Sequence, residues 1–276
     1  MNKIGVLVIL NRDTDIENEL RKVKDMELDS CQLCVWEGEV FTDENAEKIK
    51  KCINQLGISV SSLWAGWSGP CEWNFTMGPS TIGLVPAAYR FERLKELLRA
   101  SEFASEIGVN HVITHVGFLP ENPHDPDYAG VLGTLRMLCR TLKERGQYFL
   151  FETGQETPVT LLRTIQAIES DNIGINFDTA NLILYGKANS LDALDVFGKY
   201  VMDTHIKDGV YPTDGLKLGC EKPLGEGKAN ITEVVKKLHA LGYTGPYTIE
   251  REISGEKQIQ DIIAGRDLLR SILKTL

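Results

Sequence analysis

The decapeptide YVMDTHIKDG, residues 200–209, decides how the chain is read. Tyr200 to Ile206 favours a strand, and Asp208-Gly209 stops it. Side chains alternate along a strand, so Val201, Asp203, His205 and Lys207 are expected on one face. A face with Asp and His on it is not held by apolar packing alone. IGINFD, residues 173–178, has the same design, with Gly174, Asn176 and Asp178 on one parity and Ile173, Ile175 and Phe177 on the other. QYFLFE closes on Glu152 and PYTIE closes on Glu250. Four strand ends therefore offer Glu, Asp, His and Glu.

The rest of the chain repeats a strand–helix alternation around these segments. Strands are predicted over 3–10, 30–36, 58–66, 110–117, 147–152, 173–178, 201–206 and 245–252. Helices are predicted over 14–27, 42–57, 87–108, about 128–145, from Thr157-Pro158 onward, 190–198, 230–242 and from about 257. Asp13 or Thr14 is the expected cap of the first helix, Gly57 the stop of the second, and Asn230 with Glu233 a capping box. A Gly/Pro/Trp-rich loop runs from Trp67 to Pro86. Alternating βα units give a parallel sheet with helices outside, and eight of them favour closure into a barrel. The absence of GxGxxG after the first strand weakens an open doubly wound sheet. The expected architecture is α/β, a single (β/α)8 TIM barrel spanning 1–276 as one domain. Its 276 residues are close to the typical length of about 250 for that fold.

Composition narrows the class of function. Hydrophobic residues at 42% and charged residues at 25% are ordinary for a globular protein. A net charge of −9 argues against a broad nucleic-acid surface, which needs clustered Lys and Arg. No apolar run is long enough to span a bilayer, and MNKIGVLVILNRD turns polar too soon for a signal peptide, so a cytoplasmic protein with no membrane partner is expected. The six cysteines include Cys31 and Cys34 in a CxxC, but three residues apart on a strand they face opposite sides. Free thiols in a reducing compartment are expected.

Active sites of such barrels lie at the C-terminal ends of the strands, where Glu152, Asp178, His205 and Glu250 all fall, one per successive strand. Carboxylate oxygens with one imidazole suit a divalent ion, Mn²⁺ first, with Mg²⁺, Co²⁺ or Zn²⁺ as alternatives. His115 ends the fourth strand and would face the site; Trp36, Trp64 and Trp67 could pack on a substrate or wall the mouth. Lys207 has inward parity and could neutralise an anionic substrate, or stand in solvent. GEGK, 225–228, lacks the rest of a P-loop and reads as a turn. The connection from Gly209 to Gly227, with five glycines and two prolines, is long for a βα loop and is expected to cover the substrate.

FETGQET, NFDTAN, HIKDG, the PLGEG loop and IERE together resemble the xylose isomerase-like TIM barrels, the sugar-phosphate isomerase/epimerase superfamily. The resemblance runs over essentially the whole chain. It implies that Glu152, Asp178, His205 and Glu250 hold one divalent metal and that, as in the ketose 3-epimerase branch, Glu152 and Glu250 are the acid/base pair. The substrate implied is a small ketose or keto-sugar derivative reacting through an enediolate, with His115, Glu156, Asn181, Lys207 and Trp64 as candidate substrate contacts. The chain departs from the epimerase branch at three places. Asp178 is followed by Thr179, Ala180 and Asn181 where DxxH is usual, Pro158 stands where a second glutamate is usual, and Tyr211 where an arginine is usual. A lyase or dehydratase acting on a keto-inositol or keto-glycoside is therefore the alternative. An endonuclease-IV-like enzyme would need many histidines, and the chain has five. A homo-oligomer is compatible with all of these readings.

Overall fold

The computed structural model of the protein describes residues 2–276. Eight parallel strands close a barrel: β1 (Ile4–Leu10), β2 (Ser30–Val35), β3 (Ser59–Ala65), β4 (His111–Thr114), β5 (Tyr148–Glu152), β6 (Ile173–Asp178), β7 (Val201–Ile206) and β10 (Tyr247–Ile249). Between β7 and β10, β8 (Asp208–Val210) and β9 (Cys220–Lys222) form an antiparallel hairpin. The helices are α1 (Ile16–Asp25), α2 (Asp43–Leu56), α3 (Gly78–Thr81), α4 (Ala87–Glu106), α5 (Pro126–Glu144), α6 (Pro158–Ile168), α7 (Asn181–Leu184), α8 (Ser190–Phe197), α9 (Ile231–Ala240) and α10 (Glu256–Leu273).

Period-2 patterning separates two cores. Ile4, Val6, Val8 and Leu10 of β1, with Cys31, Leu33 and Val35 of β2, belong to the layer between barrel and helices. Cys34, Trp64, Ile113 and Leu150 pack inside the barrel, with Leu7 against them. Cys31 and Cys34 thus sit on opposite faces as expected, and both are free and buried.

Helix ends follow local chemistry. Thr42 caps α2 through Asn45 N–H at 3.2 Å, and Gly57 ends that helix at φ +64, where a side chain would be strained. Thr157 caps α6 with Pro158 in its first turn. Two caps differ from expectation. Asp15, not Asp13 or Thr14, caps α1, its carboxylate accepting from Asn18 N–H at 3.1 Å. Asn230 adopts a left-handed φ of 54 and makes no capping bond, so no capping box forms at α9.

The strand parity of β7 also needs correction. The β6–β7 register slips between Ile175↔Val201 and Asn176↔Asp203, a β-bulge that leaves Met202 unpaired. Val201 consequently packs in the outer layer, while Met202 is packed against the inner cluster. The slip also sets Asp178 directly beside His205.

The 209–227 connection is ordered at its base. Asp208 accepts from the backbone N–H groups of Gly209, Gly225, Gly227 and Ala229 at 2.8–3.0 Å. A Cβ on Gly227 would lie 2.1 Å from Asp208 Oδ1, so only glycine lets the loop close on that carboxylate. GEGK is therefore a turn, and one that wraps a carboxylate of its own chain.

Candidate metal centre and substrate cavity

The C-terminal ends of β5, β6, β7 and β10 bring Glu152, Asp178, His205 and Glu250 together, their ligand atoms all within 4.8 Å of one another. Asp178 is completely buried. Its Oδ1 accepts from the N–H groups of Ala180 and Asn181, each at 2.7 Å, at the start of α7, whereas Oδ2 has no hydrogen-bond partner. His205 places Nδ1 at 2.9 Å from Glu152 Oε1 and 3.1 Å from Glu250 Oε2. Its Nε2 lies 2.7 Å from Gln32 Oε1, and Gln32 donates in turn to Asn176 Oδ1 at 3.0 Å. An amide oxygen only accepts, so Nε2 carries a proton and Nδ1 is the nitrogen turned to the carboxylates. A buried acceptor oxygen with no donor, two further carboxylates and an oriented imidazole fit a hard divalent ion.

Charge is balanced tightly around the cluster. Burial alone would lower the His205 imidazole, but the charges of Glu152 and Glu250 outweigh it and hold the group well above its usual range. Burial pushes Asp178 well above the carboxylate range, against the pull of Lys207, and the Glu250 and Glu152 charges add to the rise. Glu250 goes the other way: burial would raise it, but Lys207 and His205 pull it down. Both raised groups hold protons that a cation would replace.

Lys207 is not a solvated loop residue. It is 1% exposed, with Nζ at 2.6 Å from Glu252 Oε1, 3.4 Å from Glu250 Oε2, 3.7 Å from Asp178 Oδ2 and 3.3 Å from Asn181 Oδ1. Burial works against its charge, yet the carboxylates of Glu250, Glu252 and Asp178 hold the ammonium well above its usual range.

A cavity of about 330 Å³ opens over the cluster, lined by Glu152, His205 and Glu250 together with His115, Asn181 and Trp64. Trp64 donates its indole N–H to Glu152 Oε2, so it positions that carboxylate as well as walling the mouth. His115, one residue past β4, has Nε2 at 3.6 Å from Glu152 Oε1, and burial lowers it, which keeps it neutral. Trp36 lines the cavity too, whereas Trp67 stacks behind it at 5.2 Å and faces a neighbouring cleft. Glu156 is not among the residues that line the cavity; it is 4% exposed with Oε1 unpartnered. Sequence reasoning missed Gln32, Trp73 and Glu252. Gln32 had a signal, being a polar residue inside a strand at the same parity as Cys34.

Comparison with known proteins agrees with this geometry. The family model for xylose isomerase-like TIM barrels matches residues 20–272. The chain belongs to that family. A xylose isomerase domain protein from Planctomyces limnophilus is 31% identical, with a TM-score of 0.92 over 99% of this chain and 98% of that one. The protein MJ1311 of Methanocaldococcus jannaschii is 28% identical over 63% of this chain, and the match spans 60% of its own length. A xylose isomerase-like TIM barrel protein from Mycobacterium smegmatis, solved in complex with magnesium, shares the fold at 17% identity and TM-score 0.75, covering 100% and 97% of the two chains. Other structures on this fold, at 18% identity, are described as L-ribulose 3-epimerase and 3-keto-D-glucoside 4-epimerase from E. coli.

Two expectations arise from how this xylose isomerase-like barrel holds its ligand set. Gln32→Leu should lower divalent-metal affinity about 10- to 100-fold, because it removes the acceptor that fixes the His205 tautomer. Calorimetric titration with Mn²⁺ checks this, and unchanged affinity would show that Gln32 does not orient His205.

Glu156 gives the second. Burial raises its carboxyl from 4.5 to about 7. The folded value exceeds the unfolded one, so its contribution is intact below pH 4.5 and is lost as pH rises to about 7. Glu156→Gln should remove that loss and stabilise the protein at pH 8 by up to about 3 kcal/mol. Unfolding midpoints of both proteins from pH 4 to 8 test it; parallel curves would show that Glu156 is ionised without cost.

Proposed function

We propose that the protein is a divalent-metal-dependent isomerase or epimerase acting on a small ketose or keto-sugar derivative, through proton transfer beside a carbonyl. The observation that carries this reading is the convergence of Glu152, Asp178, His205 and Glu250 within 4.8 Å at the barrel mouth, beneath a substrate-sized cavity. Glu152, Asp178, His205 and Glu250 would hold the ion, with Mn²⁺ favoured. When bound, a divalent ion supplies Lewis-acid stabilisation for the negative charge that proton removal creates.

The chain's own groups would do the rest. Glu152 and Glu250 project from β5 and β10, on different sides of the ring. One carboxylate removes the proton α to the carbonyl, and the other returns one. Return to the opposite face of the same carbon inverts it, and return to the neighbouring carbon exchanges ketose and aldose. His115, Asn181 and Trp64 line the same space and would contact the substrate.

The test is to incubate the Mn²⁺-loaded protein in D₂O with a panel of ketoses and keto-inositols and to follow deuterium uptake and products by NMR. Exchange and an isomeric product, both abolished by chelation, are expected. An unsaturated product would instead assign the dehydratase or lyase reaction, and no exchange on any substrate would overturn the enolisation reading.

A further inference from the structure

The cavity has two unlike halves. From β4 round to β10 its wall carries His115, Glu152, Asn181, His205, Glu250 and Glu252; from β1 to β3 it carries Leu7, Ile9, Cys34, Trp36 and Trp64. Trp73, from the loop after β3, adds to the apolar side, whereas Leu184 and Tyr185 at the end of α7 and Leu218 in the β7–β10 connection line the other side with the polar groups. All four tryptophans of the chain meet here, with Trp36 at 4.9 Å from Trp64, 5.2 Å from Trp67 and 6.3 Å from Trp73. The apolar arc also opens outward. β10 pairs with β1 only as far as Val6↔Ile249, so beyond Val6 the β1 backbone has no β10 partner. Leu7 and Ile9 therefore line an adjoining cleft with Ile253 and Ile262, beside Glu252 and Arg251, the latter held by Glu221 at 2.8 Å and Asp261 at 3.0 Å, and Ile9 is 51% exposed.

A free ketose carries a hydroxyl on nearly every carbon. Seated with its reacting carbons on the polar arc, it would bury the remaining hydroxyls against indole rings and aliphatic groups that offer fewer hydrogen bonds than those hydroxyls make in water. A phosphorylated sugar fits less well still. Among the described residues no Lys or Arg lines the cavity, the Lys207 ammonium is engaged by Asp178, Glu250 and Glu252, and Glu252 adds an exposed carboxylate.

We infer that the substrate is an uncharged keto-sugar bearing an apolar alkyl or aryl substituent. The sugar lies on the Glu152–Glu250 arc, and the substituent runs along Trp36, Leu7 and Ile9 toward the β1–β10 cleft. This rests on the enolisation proposed above and narrows its substrate. Apolar surface leaving water on both partners is the source of the preference.

The experiment compares a methyl keto-glucoside, its phenyl counterpart and the phenyl compound's 6-phosphate on the Mn²⁺-loaded protein. Binding is read by calorimetry and by tryptophan fluorescence, since three of the four tryptophans line this cavity and the fourth packs against one of them. The phenyl compound should bind about 10-fold or more tightly than the methyl one, and the phosphate should weaken it by a similar factor. Ile9→Asp, at an exposed position, should cost the phenyl compound about 10-fold more affinity than the methyl compound. Equal affinities, a tighter phosphate, or no binding of the phenyl compound would overturn the inference. Deuterium exchange separates it from the parent reading. Equal binding with exchange on both compounds rejects the apolar substituent and keeps enolisation, whereas tight phenyl binding without exchange on any keto-sugar does the reverse.

Discussion

Glu152→Gln and Glu250→Gln should each lower turnover by about 10²-fold or more while the protein still takes up metal. The size follows from the role: a group that moves a proton in the transition state is lost, whereas a group that only binds would cost far less. The two variants should also differ in kind, because the two carboxylates are held differently. Glu152 has both oxygens engaged, Oε1 facing His205 at 2.9 Å and Oε2 receiving the Trp64 indole N–H. Glu250 makes its contacts to His205 and Lys207 through Oε2, which leaves Oε1 for the cavity that the residue lines. In the proposed mechanism Glu250 would be the readier base, and Glu152 would have to loosen from Trp64 to act. With Glu152 disabled, Glu250 should still exchange the substrate's α-proton for solvent deuterium without completing the reaction. With Glu250 disabled, exchange should fall as well. Following substrate deuteration and product separately in D₂O makes the distinction. Near-native turnover in either metal-loaded variant would rule out the two-carboxylate mechanism.

Lys207→Met should destabilise the metal-free protein by about 3–5 kcal/mol, the cost of removing one partner from a buried ionic network. Its ammonium is 1% exposed and lies within 3.7 Å of three carboxylates, two of them in the proposed ligand set. Methionine fills much of the same space, so the loss is electrostatic. Glu250 then keeps only His205, at 3.1 Å, as a nearby positive charge, and Glu252 and Asp178 lose theirs. An added divalent ion supplies that charge, so Mn²⁺ should restore a larger share of stability in the variant than in the natural protein. Urea unfolding with and without Mn²⁺ measures both effects. A metal-free variant within about 0.5 kcal/mol of the parent would show that Lys207 is not the counter-ion of this cluster.

The barrel and the four converging residues were legible because period-2 patterning and strand-end position are local properties of sequence. Glu152, Asp178, His205 and Glu250 each end or nearly end a strand, and barrel closure forces such ends onto one ring. The misses arose where three-dimensional context decides. Nothing local to VMDTHI announces the bulge that turns Val201 outward and Met202 toward the interior. Glu156 follows the turn after Glu152 and is buried, but it is not among the residues that line the cavity. Lys207 showed its parity, but its three carboxylate partners come from β6 and from the residues after β10, too distant in sequence to be paired by eye. The 209–227 segment was recognisable as long, whereas its hairpin depends on Asp208 meeting glycines at 225 and 227.

That last arrangement is an anion site closed on its own chain. Four backbone N–H groups turned onto one point form a concave anion nest, the kind of cradle that elsewhere receives a phosphoryl group. Here the anion is Asp208, three residues beyond His205 and covalently part of the strand end. The nest is filled by a side chain tethered to the same loop, and none of its residues lines the cavity over the four converging side chains. One carboxylate side chain thus separates this loop from a phosphate receptor, and Asp208→Gly is the single change that would unblock it.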